Sequence, residues 1–97
     1  MPAYILVDID VLDAERYEDY KRLASASIAA HGGKYLIRGG AVEVLDGDWK
    51  PNRFVLLEFP SVEQAKGWRN SPEYAEARAI RDTCARARMI VVEGLES

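Results

Sequence analysis

Nine residues near the N-terminus, Ala3 to Val11, alternate with a period of two and are apolar along much of both faces. Ile5, Val7, Ile9 and Val11 fall on one side and Tyr4, Leu6, Asp8 and Asp10 on the other, the pattern of a β-strand. A strand that is fully apolar on one face and half apolar on the other must be covered from two directions. With 97 residues there is room for one core only, so residues 1–97 are expected to form a single domain whose sheet is buried on both sides.

The remaining elements follow from local signals. Asp13 offers a helix N-cap, Glu15, Glu18 and Asp19 lie where the helix dipole favours acids, and Gly32 supplies a left-handed residue just past a helix end near His31. Lys34–Arg38 and Ala41–Leu45 read as strand, interrupted by a bulge or bend at Gly39-Gly40. Arg53–Phe59 is the next strand, reached through a Pro-bound loop at Trp49–Asn52. Ser61-Val-Glu-Gln64 is a capping box, and Ser71-Pro72-Glu73 repeats the start signal, so the second helix breaks and restarts at Asn70-Ser71. Met89–Glu93 closes the order β-α-β-β-α-β.

That order predicts an α+β, ferredoxin-like fold: a four-stranded antiparallel sheet with two helices on one face. The opposite face is left with Tyr4, Leu6, Leu36, Phe54 and Leu56, too contiguous an apolar area for water. A second copy of the chain, packed sheet on sheet, is the expected cover, making the protein a homodimer. Asp8, Asp10, Arg38 and Glu58 then read as ion pairs at the rim between subunits, or Arg38 as the anchor of an anionic ligand.

Composition narrows the function classes. Thirteen basic against sixteen acidic residues leave a net charge of −3, without the basic field that phosphate backbones demand, so nucleic acid is not an expected partner. The opening residues have no basic n-region, and their apolar run breaks at Asp8; neither a signal peptide nor a membrane span is expected, and the reading is cytoplasmic. One histidine and one cysteine, with no ligand spacing, predict no metal and no cofactor. Ser71 is committed to capping and lacks a G-x-S-x-G surround.

Chemistry is left to a few side chains. His31 admits two roles at its helix C-terminus, a cap or a proton-transfer group near neutral pH, and is the candidate catalytic residue. Tyr17, Tyr20, Trp68 and Tyr74 are candidate ligand-binding residues that, together with His31, are expected to line a pocket between helices and sheet, closed by Arg38, because phenols join an apolar body to one polar tip. Their alternative is core packing. Cys84 lies among arginines that can lower a thiol pKa, or is small core filler. Arg78, Arg81, Arg86 and Arg88 are either a solvated face or a draw for an acidic small molecule.

Together, Ala30-His31-Gly32-Gly33-Lys34-Tyr35, Arg38-Gly39-Gly40, Glu43-Val44-Leu45-Asp46-Gly47-Asp48-Trp49, Phe59-Pro60-Ser61, Trp68, Ser71-Pro72-Glu73-Tyr74 and Val92-Glu93-Gly94 make the chain resemble the DUF1330 family of the dimeric α+β barrel superfamily. The match spans nearly the whole chain. It departs at Arg69, where the family often has an aromatic residue. The resemblance implies the ferredoxin-like fold and a homodimer. Its superfamily mixes cofactor-free monooxygenases, isomerases, haem enzymes and members without established catalysis, so the implied function is a small-molecule-binding or cofactor-free enzymatic domain, with a non-catalytic dimer module as the alternative.

Overall fold

In the computed structural model, which describes residues 1–95, the alternating segment forms β1 (Ala3–Val11), with Ala3, Ile5, Val7 and Ile9 buried. Asp13 caps α1 (Ala14–Ala30) by accepting a hydrogen bond from the Arg16 N–H at 3.2 Å. The helix ends in a Schellman turn: Gly32 sits at φ 77°, its N–H reaching Ala29 O at 3.2 Å, while Gly33 N–H reaches Ile28 O at 2.9 Å. Gly33 is held against the Phe59 ring, where any Cβ would lie 2.6 Å from ring carbons. That contact clamps the start of β2 (Lys34–Arg38) onto the core.

β3 (Arg53–Phe59) is followed by α2 (Val62–Arg69), α3 (Pro72–Cys84) and β4 (Ala85–Glu93). The sheet has the order β2-β3-β1-β4, with every pairing antiparallel. All three helices cover one face: α1 lies along α3, and α2 packs on β1, β3 and β4. The predicted break is real. Ser71 Oγ accepts from the Tyr74 N–H at 3.2 Å and donates to Trp68 O at 2.7 Å, so one hydroxyl ends α2 and starts α3.

Three local expectations are corrected. Ala41–Leu45 is not a strand: Gly39, at φ 72°, turns the chain away, its N–H bonding Phe54 O at 2.8 Å, and residues 40–52 form a loop. The bulge lies instead between Tyr35 and Ile37, which moves Ile37 opposite Leu56 on the open face and turns Arg38 to the helix side opposite Val55. Finally, β4 begins four residues before Met89. Ala85 and Ala87 point inward and Arg86 and Arg88 stand opposite Asp10 and Asp8, an alternation too small on one side and too charged on the other to advertise a strand.

The uncovered face carries half-buried Tyr4, Leu6, Phe54 and Leu56 beside exposed Ile37, Ile90 and Val92. Four of its charges pair within the chain: Arg88 meets Asp8 at 2.9 Å and Lys34 meets Glu58 at 3.5 Å.

Candidate ligand cleft

Tyr17, Tyr20, Trp68 and Tyr74 are all buried and belong to one core cluster. Trp68 lies between Phe59, with ring centroids 5.5 Å apart, and Tyr74, at 4.3 Å, and its indole N–H donates to Ser27 Oγ at 3.0 Å. The Tyr20 and Tyr74 hydroxyls are hydrogen-bonded at 3.1 Å. Burial pushes the Tyr20 phenol, and to a lesser degree that of Tyr17, up from the ordinary range, so both stay neutral. The space left among Tyr17, Tyr20 and Trp68 is about 20 Å³, room for one water. Arg38 closes this space at the β2 edge, its guanidinium 4.5 Å from the Tyr35 ring centroid and donating to Ser25 Oγ at 3.0 Å.

His31 lies elsewhere. It is the C-cap of α1, its Nε2 is 3.7 Å from Glu73 Oε2, and it borders a shallow depression with Gly32, Ser61 and Gln64, none of which touches the tyrosine cluster's void. The Glu73 carboxyl is held below its usual range by its own backbone N–H and then by His31. The structure therefore brings together four of the sequence-predicted residues, with Arg38 at their edge, and separates His31 from them. Cys84 is buried and donates to Ile80 O at 3.4 Å; burial pushes its thiol up despite the neighbouring arginines, which leaves it as core filler.

A more enclosed site at the other end of the helix layer was not anticipated. Between α2, α3 and the edge strand β4 lies a cleft of about 330 Å³. Its floor is apolar, formed by Ile5, Ala87, Met89 and Val91 on the helix side of the sheet, and its walls bring Lys66 and Arg69 from α2 opposite Arg78 and Arg81 from α3. The break at Asn70-Ser71 is the cause: two short helices in place of one leave the inward face of β4 partly uncovered, so that Met89 is only half-buried and Val91 exposed.

Arg81 is the unusual member. It occupies the inward stripe of α3 with Tyr74, Ala77 and Cys84 and is 8% exposed. Its Nη1 donates to the Tyr74 hydroxyl at 2.9 Å and its Nη2 to Asp82 at 3.3 Å, while its buried Nε–H has no partner among the described residues. Burial alone disfavours its charge, but Tyr74, Tyr20 and Asp82 outweigh this and hold it protonated. The signal was present in the sequence as an arginine at the i+7 position from Tyr74 on an apolar helix stripe. Among the described residues, no group of three His, Cys, Asp or Glu side chains is placed to hold a metal ion, and no helix is long and apolar enough to cross a membrane.

This architecture defines the class: a ferredoxin-like α+β domain. The chain belongs to the family described as Domain of unknown function (DUF1330), whose model matches residues 2–95. A protein of unknown function from Rhodopseudomonas palustris superposes with a TM-score of 0.79 at 24% identity, over 99% of this chain and 84% of that one. SnoaB, a cofactor-independent oxygenase from Streptomyces nogalater, gives 0.68 at 10% identity over 99% and 95%. A dimeric ferredoxin-like protein of unknown function from Bacteroides fragilis gives 0.58 at 12% identity over 96% of each chain. At these identities the likeness is one of fold. No curated protein matches the chain by sequence.

Proposed function

We propose that the protein is a homodimeric small-molecule-binding domain whose ligand site is the cleft between α2, α3 and β4. The observation that carries this reading is the combination of room and enclosure: the cleft offers about 330 Å³ against about 20 Å³ among the tyrosines, and it is more enclosed than the larger, more open depressions of about 580 Å³ beside His31 and about 570 Å³ beside Arg38. Binding sites typically begin at about 300 Å³. Binding is favoured over turnover because the cleft is lined by four cations and by neither a carboxylate nor an imidazole, so no residue there is suited to exchanging protons near neutral pH. SnoaB's oxygenase chemistry is a property of that protein.

The dimer part of the proposal rests on the open sheet face. Tyr4, Leu6, Leu56, Ile37, Ile90 and Val92 form a contiguous apolar surface. Trp49, from the loop before β3, stands over its edge with its ring 6.5 Å from that of Phe54. A second copy covers such a face, and the dimeric neighbour of the same fold supports that arrangement. In this reading the protein works in the cytoplasm, where its single thiol stays reduced.

Both parts are open to direct test. Sedimentation at micromolar concentration is expected to give twice the chain mass, and a clean monomer would overturn the dimer. Titrating the isotope-labelled protein with a fragment library of neutral, cationic and anionic members is expected to move amide resonances of Lys66, Arg69, Ala87 and Met89 saturably. Absence of any saturable fragment, or shifts confined to the His31 depression, would reject the cleft as the site.

A further inference from the structure

Resting on the cleft as the binding site, we propose that its ligand is a small organic anion, a carboxylate or phosphate ester carried on an apolar body, and that Arg81 is the residue that reads the anionic group. Charge distribution is the first ground. The chain has sixteen acidic residues against thirteen basic ones, yet four of the basic residues line this cleft and, among the described residues, none of the acidic ones does. A wall of one sign in a net-acidic protein repels itself unless a counter-charge arrives, and the low-dielectric floor beneath it strengthens the field felt there.

The state of Arg81 is the second ground. Arg78 lies toward the rim, where a solvated face explains it: it is half-exposed and has Asp82 at 3.9 Å. Arg69 is half-buried, with its guanidinium 5.8 Å from the Tyr74 ring centroid, which accounts for its place. Arg81 is not explained in this way. More than nine-tenths of it is buried, only one carboxylate touches it, and that contact is long for a charge-assisted bond. A guanidinium has five N–H donors. Two of them are used here, and Nε is orphaned. A buried, incompletely paired cation is costly, and an oxyanion in the adjoining cleft would relieve it.

The Tyr74 hydroxyl supplies the third ground. It holds Nη1 from behind and is itself hydrogen-bonded to Tyr20, so the guanidinium is fixed before any ligand arrives. Such preorganisation reduces the ordering cost of binding. Met89, Val91, Ala87 and Ile5 then receive the apolar body, and the adaptable thioether of Met89 accommodates its shape.

Three probes of one shape separate the possibilities: benzoate, phenyl phosphate and neutral benzamide, titrated at fixed ionic strength and followed by amide shifts and melting temperature. At least one of the two anions is expected to bind about tenfold or more tightly than benzamide, and the tighter of them names the headgroup. Arg81→Lys keeps the charge but loses the fork, and is expected to weaken the anion about tenfold while leaving benzamide unaffected. Because a variant at a buried position can fail to fold, exposed Arg78→Gln serves beside it; a loss of only about twofold to threefold is expected there. Equal binding of benzamide and both anions overturns the anion inference and leaves the cleft intact as a site. A larger loss with Arg78→Gln than with folded Arg81→Lys assigns recognition to the rim and overturns the role given to Arg81. If no fragment in the wider library enters the cleft, the proposed function itself falls.

Discussion

The two ends of the helix layer lie over the same face of one sheet, and side-chain size together with the helix break at Asn70-Ser71 makes one solid and the other hollow. Where α1, the end of α2 and the start of α3 meet, four large aromatic residues interlock: Tyr17 and Tyr20 at 5.2 Å between centroids, Tyr20 and Tyr74 at 6.4 Å, Trp68 and Tyr74 at 4.3 Å. Each buries a large area and fills the layer between helix and sheet. At the β4 edge the small or slender residues facing the cleft are Ala65 of α2 and Ala87 and Met89 of β4, which cannot fill the same gap. The polar groups follow the same division in part. At the solid end the Trp68 indole and the Tyr20 and Tyr74 phenols find fixed partners, and Arg53, beside the Tyr17 ring, leaves its Nε unpaired among the described residues. At the hollow end Arg81 does the same, and there it adjoins open space. Aromatic residues concentrated in a core therefore say little about a ligand, and the thinly filled edge beside them says more.

The strongest way to break this comparison is to hollow out the solid end. Trp68→Ala removes the indole from between Phe59 and Tyr74 and leaves Ser27 without its donor. A loss of about 3–5 kcal/mol is expected in chemical denaturation. A loss below about 1 kcal/mol would mean that the aromatic cluster is not the stabilising core described here. Next in size is Tyr74→Phe, which keeps the ring but deprives Arg81 Nη1 of its acceptor and Tyr20 of its partner. Leaving buried polar groups unmet predicts a cost of about 1–3 kcal/mol, together with weaker anion binding at the other end. If stability falls and binding is untouched, the two ends are independent and the bracing of Arg81 by Tyr74 is immaterial to the ligand.

How legible these features were in the sequence depended on whether the physics was local. β1, the Asp13 cap, the Gly32-Gly33 helix stop and the Ser71-Pro72 restart are each written in a few adjacent residues, and the structure forms them as expected. The strand expected at Ala41–Leu45 had suitable side chains but no partner strand, and pairing is a property of the whole sheet. The bulge at Leu36 left no local mark either, and it decided which side of the sheet receives Arg38. His31 and the tyrosines were joined into one expected pocket because their residue types suit chemistry, whereas their distance in space depends on tertiary packing. Arg81 was legible in principle: a charge on the apolar stripe of α3 violates the helix's own pattern, and such violations mark sites where stability alone does not set the residue.

The smallest expected effect on stability is also the sharpest test of the hollow end. Val91 lies at the cleft, opposite Ile5 on the helix side of β4, and is 36% exposed. Val91→Phe extends an aromatic ring into the space proposed for the ligand's apolar body, at a strand position where aromatic residues are well tolerated. Because the side chain enters an open cleft instead of a filled core, overpacking strain is absent, and the melting free energy is expected to change by less than about 0.5 kcal/mol. Binding behaves differently. The ring competes directly with any organic anion, so benzoate or phenyl phosphate is expected to lose about tenfold or more in affinity while Arg81 and its hydroxyl brace remain in place. Amide shifts of Tyr20 and Tyr74, in the solid end, are expected to stay where they are. A destabilisation above about 2 kcal/mol would show that the space beside Val91 is already closed by packing in solution, and the contrast between the two ends would then disappear.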